Sequence, residues 1–357
     1  MKTKPIIKNF NIHNIVKLKI ESTNVIKIET ALAQLREFEV LSLGDEDVDI
    51  FIYDYVQRPI INDPNVFTNE YCFSGNFLNL TKEKCCLNIN ETPIKIYSDK
   101  FIFPLSLAIE IVLLKKGFSF VHSAAVEYKN SVYLFPALGG VGKTLTVSSF
   151  VFNGGKLLGD DMNILKKKEI LGYPSDFSVY SYHLDFLNIR DWKIRLKFAK
   201  NRVLNSITPK FRRSKISKLI TIMLDYFKEP CINMPPRMIF GGQSLLKEAI
   251  VSEVYYLIRS DTVSSKILIE RIDSGELAEK CTDILLQEWS ESMKILYTYS
   301  TLTGFSFRML INKIRDIQVE IFKPLDCYRI SIPINLDNNS YQEQLISYFD
   351  NKILNSK

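Results

Sequence analysis

The chain has 357 residues, 46% of them hydrophobic and 24% charged, enough apolar material for one large or two unequal globular domains. A formal charge of +6, three histidines and six cysteines without C-x-x-C pairs or histidine spacing argue against a zinc site or a histidine-rich metal centre. The start, Met1 to Asn9, lacks the apolar stretch and cleavage site of a secretory signal, and the most apolar segment, Phe101 to Leu114, is too short to cross a bilayer. A cytoplasmic protein with reduced thiols is expected, with Cys85 and Cys86 as neighbouring core and surface positions of a strand rather than a vicinal disulfide.

In chain order, residues 1–98 carry short alternating or β-branched runs at Ile15–Ile20, Val48–Val56, Phe77–Leu80 and Ile94–Tyr97, broken by Asn, Asp and Pro clusters. This reads as a β-rich N-terminal region, followed by a nucleotide-binding domain over 99–357. The run Phe101–Leu114 predicts a buried helix ending at Lys115-Lys116-Gly117. Ser131 to Phe135, bounded by Asn130 and Pro136, predicts a buried strand. Leu145, Val147, Ser148, Phe150 and Val151 form one helical stripe that Asn153-Gly154-Gly155 would end. Lys156 to Gly159 predicts a second strand with Asp160 and Asp161 at its carboxyl end, where ligands of open α/β sheets sit, so the whole reads as one βαβ unit. Beyond Gly172–Asp176 a long, mainly helical stretch is expected, with a basic helical insertion over about 185–230. A late strand at Tyr328–Pro333 and a closing helix from Tyr341 to Leu354 complete the chain.

The chemistry concentrates between Phe135 and Asp161. Gly-Val-Gly-Lys-Thr, residues 140–144, fits the phosphate-binding loop pattern G-x-x-x-x-G-K-[ST] except that its first glycine is Ala137. In such a loop backbone N–H groups surround phosphate oxygens, the lysine meets the outer phosphates and the hydroxyl binds Mg²⁺. Alanine would be strained if that first position required a positive φ, unless Gly139 and Gly140 shift the turn. His122, in Phe120–Val126, precedes the loop strand; it either faces the phosphates or is a core histidine bonded to a carbonyl.

Taken together, His122-Ser-Ala-Ala-Val126, Pro136-Ala-x-x-Gly-Val-Gly-Lys-Thr144 and Gly155-x-Leu-Leu-Gly-Asp-Asp161 resemble the kinase domain of HPr kinase/phosphorylase and its relatives. The resemblance covers about residues 118–166 and extends weakly through Tyr255–Arg259 and the closing strand and helix. It implies an α/β fold with a phosphoenolpyruvate carboxykinase/HPr-kinase-like P-loop core, a β-rich N-terminal part and a mainly helical insertion after the Asp-Asp motif. It also implies an ATP-dependent, Mg²⁺-dependent kinase. Gly139, Gly140, Val141, Gly142, Lys143, Thr144 and Leu145 would hold the nucleotide phosphates, and Thr144 with Asp161 would hold Mg²⁺. Asp160 would be the base toward the attacking hydroxyl, with Lys143 and His122 as catalytic partners, although the roles of the two aspartates are interchangeable at this stage. The downstream glycine-rich signature by which HPr kinases handle their protein substrate has no counterpart here, so the expected acceptor is a hydroxyl of a peptide, another protein or a small metabolite.

Arg190 to Lys218 holds eleven Lys or Arg against one acid, Asp191, with Trp192, Ile194, Leu196 and Phe198 interleaved. This suits contact with an acidic peptide, anionic headgroups or nucleic acid, nucleic acid ranking below peptide because no nucleic-acid fold signature accompanies it. The alternative is a solvated amphipathic element. Two functions remain open: a kinase, and a nucleotide-binding regulator without transfer activity. A homo-oligomer is compatible with either.

Overall fold

The computed structural model describes residues 4–61, 64–99, 102–187, 189–196, 198, 231–261 and 264–355. The chain is α/β and divides into two compact units, one of Met1–Ser175 with Leu245–Lys357 and one of Asp176–Ser244. The larger unit contains two nine-stranded mixed sheets.

The first sheet uses the N-terminal runs: β1 (Ile6–Ile12), β2 (Val16–Ser22), β3 (Glu39–Val40), β4 (Ile50–Tyr53), β5 (Val66–Phe67), β6 (Tyr71–Ser74), β7 (Phe77–Leu80), β8 (Cys85–Asn88) and β9 (Ile94–Ser98). Their order is β3-β1-β2-β4-β9-β8-β7-β6-β5, with β2/β4 and β4/β9 parallel. Alternation builds these strands: Val16, Leu18 and Ile20 are buried while Lys17, Lys19 and Glu21 are only partly covered. Strand β8 departs from that rule, because all four of its residues are buried. Cys85 and Cys86 are thus both interior and both free thiols, so the expectation of one core and one surface cysteine is corrected.

The second sheet comprises β10 (Ser119–Tyr128), β11 (Ser131–Pro136), β12 (Lys156–Gly159), β13 (Met162–Lys166), β14 (Glu169–Tyr173), β17 (Glu248–Ile250), β18 (Glu253–Ser260), β19 (Leu268–Arg271) and β20 (Asp326–Pro333). It runs β17-β14-β13-β10-β11-β18-β20-β19, and β12 pairs with β10 beside this path. Strands β15 (Phe177–Val179) and β16 (Ile232–Met234) form a separate antiparallel pair in the smaller unit.

Among the described residues of the larger unit, seven helices position its sheets: α1 (Val25–Leu35), α2 (Ile102–Lys115), α3 (Lys143–Phe152), α4 (Ser274–Glu288), α5 (Ser290–Leu302), α6 (Phe307–Phe322) and α7 (Asn338–Asn355). Helix α2 is apolar on nearly every side, and its described apolar side chains are buried in a core shared by the first sheet, α5, α6 and residues Phe120, Ile164 and Tyr173 of the second sheet. A carboxyl is buried in that core. Glu110 accepts hydrogen bonds from the Ser119 hydroxyl (2.6 Å) and the Phe120 N–H (2.8 Å), tying α2 to the start of β10.

Alternation along β11 and β18 separates the two faces of the second sheet. Leu134 and Val254 face Leu277, Ala278, Cys281, Ile321 and Phe322 of α4 and α6. Tyr133, Phe135 and Tyr255 face α3 and α7, where the Phe349 ring lies 4.6 Å from Tyr133, 4.8 Å from Tyr255 and 5.0 Å from Phe150. Such aromatic contacts add about 0.5–1.5 kcal/mol per pair beyond burial, which anchors α3 under the loop that precedes it. No helix among the described residues is long and apolar enough to cross a membrane.

Candidate active site

The loop begins where β11 ends. Strand β11 runs parallel to β18, and both run antiparallel to β10, so β11 and β18 deliver their carboxyl ends to one edge of the sheet. Strand β12 pairs antiparallel with β10 on the edge opposite β11, which makes β12 parallel to β11 with β10 between them. The β11–loop–α3–β12 segment is therefore a crossover spanning an intervening antiparallel strand, a feature that local spacing does not carry.

Within the loop, Gly140 and Gly142 adopt φ of 77° and 128°, the region that a side chain disfavours. Ala137 is fully buried and lies outside that region, so the first position of the motif carries no strain here. Helix α3 starts at Lys143 with Gly142 as N-cap and no side-chain cap, leaving its first N–H groups for another acceptor. Lys143 is buried, with Nζ 3.1 Å from the Ala137 carbonyl and 3.5 Å from that of Leu138.

Strands β12 and β13 follow one another along the same edge of β10, and the break between them, just after Gly159, is Asp160-Asp161. A Cβ at Gly159 would lie 2.6 Å from Asn163 Oδ1 and 2.7 Å from the Met162 carbonyl, so only glycine permits this close turn. The turn sends the two aspartates to different partners. Asp160 accepts the Thr144 hydroxyl at 2.8 Å, and its other oxygen, Oδ1, is buried with no partner. Asp161 lies 2.7 Å from His122 Nε2 and 3.7 Å from Lys143 Nζ. His122 Nε2 is also 3.0 Å from Lys143 Nζ, so this nitrogen either donates to Asp161 or accepts from the ammonium.

These surroundings push the carboxyls apart. Burial, reinforced by the charge of Asp161, outweighs the Thr144 hydrogen bond and Lys143 and lifts Asp160 to about 7. The Asp161 side chain is exposed, although the protein packed around its carboxyl still disfavours its charge. The hydrogen bond from His122 and the charges of His122 and Lys143 overcome this and hold it below the usual carboxylate range.

Two further residues complete the site. Glu288, at the end of α4, accepts from the Gly139 N–H at 3.3 Å and lies 3.6 Å from His122 Nδ1, an atom that is buried and without a hydrogen-bond partner. Arg259, near the carboxyl end of β18, donates from Nε to the Val141 carbonyl at 3.0 Å, and its Nη2 would lie 3.7 Å from a Cβ at Gly142. An arginine closing an apolar strand run was a readable signal for Arg259. Glu288 has none, because it meets the loop from 149 residues away.

The residues named from sequence thus fall together: Gly139 to Leu145 form the loop and first turn of α3, with His122, Asp160 and Asp161 around it. Thr144 is paired with Asp160, not Asp161. Most of the basic segment 190–218, and of the insertion expected over 185–230, lies outside the described residues. Of its described part, Trp192 is exposed and Arg195 pairs with Asp185 at 3.0 Å.

Whether the residues present could hold a divalent cation turns on Asp160 and Thr144. Among the described residues no group of three or more His, Cys, Asp or Glu side chains gathers as a metal cage. The orphaned Asp160 oxygen beside the Thr144 hydroxyl is the one-carboxylate, one-hydroxyl arrangement that Mg²⁺ accepts when phosphate oxygens and water supply the rest.

No family model matches the chain, and no curated protein matches it. Among solved structures it is similar to the Hpr(Ser) kinase/phosphatase from Coxiella burnetii at 10% identity, covering 67% of this chain and 94% of that one, with a TM-score of 0.29. A superposition of that quality leaves the chemistry to be argued from the residues themselves.

Proposed function

We propose that the chain is a Mg²⁺-dependent kinase that transfers the terminal phosphoryl group of ATP to a hydroxyl, on an HPr-kinase-like P-loop core. The observation that carries this reading is the division of labour between the aspartates: Asp160 sits on the Thr144 hydroxyl, while Asp161 sits on His122 and Lys143. The free N–H groups of α3, the Gly140–Gly142 backbone and Lys143 would cradle the phosphates, with Arg259 at the outer end. Thr144 and Asp160 would hold Mg²⁺, which when bound neutralises charge on the outer phosphate oxygens. This exchanges the roles first expected of the two aspartates.

Asp161 then orients the acceptor. The acceptor oxygen attacks the terminal phosphorus and the bond to the bridging oxygen breaks. The electron pair leaves with the nucleoside diphosphate, and the hydroxyl proton passes to the Asp161 carboxylate. Its low pKa is no obstacle, because phosphoryl transfer draws mainly on positioning and charge neutralisation. His122 fixes the Asp161 carboxylate, and Glu288 fixes the Gly139 N–H.

The reading is tested by release of labelled phosphate from ATP, with water as the acceptor of last resort. Asp161→Asn should bind Mg-ATP as tightly as the wild type and turn over slower by about two orders of magnitude or more. Unchanged turnover would remove Asp161 from the chemistry. Tight Mg-ATP binding without any turnover in the wild type would favour a nucleotide-binding regulator.

A further inference from the structure

Beside the catalytic cluster lies a cavity of about 620 Å³, within the roughly 300–1,000 Å³ typical of small-molecule sites. One wall is the catalytic edge, with His122, Asp161 and Glu288; another comes from the N-terminal region, with Asn24, Ile26 and Thr30 around the start of α1 and Asp99 after β9. Trp289 and Glu291, at the junction of α4 and α5, complete it.

Two independent features say what this space takes. The first is charge. Four carboxylates, Asp99, Asp161, Glu288 and Glu291, line the cavity against one described cation, Lys27, and of the four Asp161 is already met by Lys143 Nζ at 3.7 Å. The Lys27 ammonium is already committed: it is buried, ion-paired with Asp54 at 3.2 Å and bonded to the Tyr53 carbonyl at 2.9 Å. Asp99 and Glu291 meet Lys84 and Lys294 at 3.6 Å, but these are solvent-exposed pairs of little strength. The second is His122, a lining residue only 2% exposed, whose Nδ1 has no hydrogen-bond partner and lies 3.6 Å from the Glu288 carboxylate, itself part of the cavity wall. A buried ring nitrogen in that state calls for a polar ligand atom.

Resting on the kinase reading above, we infer that this cavity is the acceptor site, and that the acceptor is a small hydroxyl compound carrying a cationic amine. Its hydroxyl lies at His122 and Asp161, its amine among Glu288, Glu291 and Asp99, and its carbon frame against Ile26 and Trp289. The N-terminal region thereby supplies the acceptor wall. The arrangement disfavours phosphorylated or carboxylate-bearing acceptors, which Asp99, Glu288 and Glu291 repel.

Trp289 makes the cavity directly observable, since the chain has two tryptophans and Trp192→Phe leaves Trp289 as the sole tryptophan, excited selectively at the red edge beyond tyrosine absorption. In that background, ethanolamine and glucosamine are titrated against their uncharged counterparts, ethylene glycol and N-acetylglucosamine. A saturable change in Trp289 emission is expected with the amines alone. Asp99→Asn with Glu291→Gln, both exposed positions, should raise the amine dissociation constant roughly fivefold, and added salt should do the same. No response to either amine, or an equal response to the neutral compounds, overturns the assignment. Lys143→Ala separates this proposal from the kinase reading. Amine binding that survives while Mg-ATP binding is lost supports both. Mg-ATP binding in the wild type with no amine response removes the cavity proposal and leaves the kinase reading standing.

Discussion

Asp160→Asn should make the unliganded protein more stable, and by an amount that depends on pH. The carboxyl is buried, has one oxygen without a partner, and titrates at about 7 in place of 3.8. Between those values the folded chain holds a proton that the unfolded chain has released, so stability falls as pH rises through the window and stays reduced above it. A displacement from 3.8 to about 7 corresponds to roughly 4 kcal/mol. Local relaxation and water at the mouth of the site reduce the realised effect to about 2 kcal/mol. Asparagine keeps an oxygen for the Thr144 hydroxyl and carries no charge, so it removes this penalty. For a chain of this length the gain is about 3 °C in Tm at about pH 8, and close to zero at about pH 4. Thermal unfolding followed by circular dichroism, in a metal chelator, reads the difference at each pH. The same variant should lose the Mg²⁺ dependence of ATP binding, a trade of function for stability. A variant less stable than wild type throughout, or a difference that does not move with pH, would refute the reasoning.

Glu110 offers a second, independent pH effect. Burial, opposed by the Ser119 and Phe120 hydrogen bonds, lifts it from 4.5 to about 8, so its contribution to stability is lost as pH rises between those values. Glu110→Gln should flatten the wild-type decline over that range in chemical denaturation, and a decline of unchanged slope would remove Glu110 as its source. Gly159→Ala places a Cβ 2.6 Å from Asn163 Oδ1 and should cost about 1–3 kcal/mol while displacing both aspartates. Weakened Mg-ATP binding together with a lowered Tm is the expected pair, and wild-type values for both would contradict the close-turn account.

Much of the loop's structural frame was legible because its signals are local. The helix expected over Phe101–Leu114 is observed at Ile102–Lys115, and the strand at Ser131–Phe135 extends by one residue to Pro136. Asn153 caps the helix after the loop, and Gly154 takes a φ of 88° just beyond it. What sequence left open was decided by pairing over distance. The partner of each aspartate depends on the turn at Gly159, where the close approach of Asn163 and Met162 separates adjacent carboxyls. The antiparallel strand inside the crossover is invisible to spacing, since β10 precedes the loop and is claimed by both β11 and β12. Cys85 and Cys86 defeated the alternation rule because all of β8 is buried. Glu288 and the cavity wall of α1 reach the loop only through the packing of elements remote in the chain.

The central claim, a working Mg-ATP site built on Lys143 and Thr144, is tested most directly by thermal unfolding with and without Mg-ATP, for the wild type and Lys143→Ala. At about a hundred times the dissociation constant the ligand adds roughly 2.7 kcal/mol, a rise of about 3 to 4 °C for this length of chain. That rise in the wild type, absent in Lys143→Ala and without Mg²⁺, is the result the account requires. Equal melting temperatures with and without nucleotide in the wild type, or the same rise in Lys143→Ala, would contradict it.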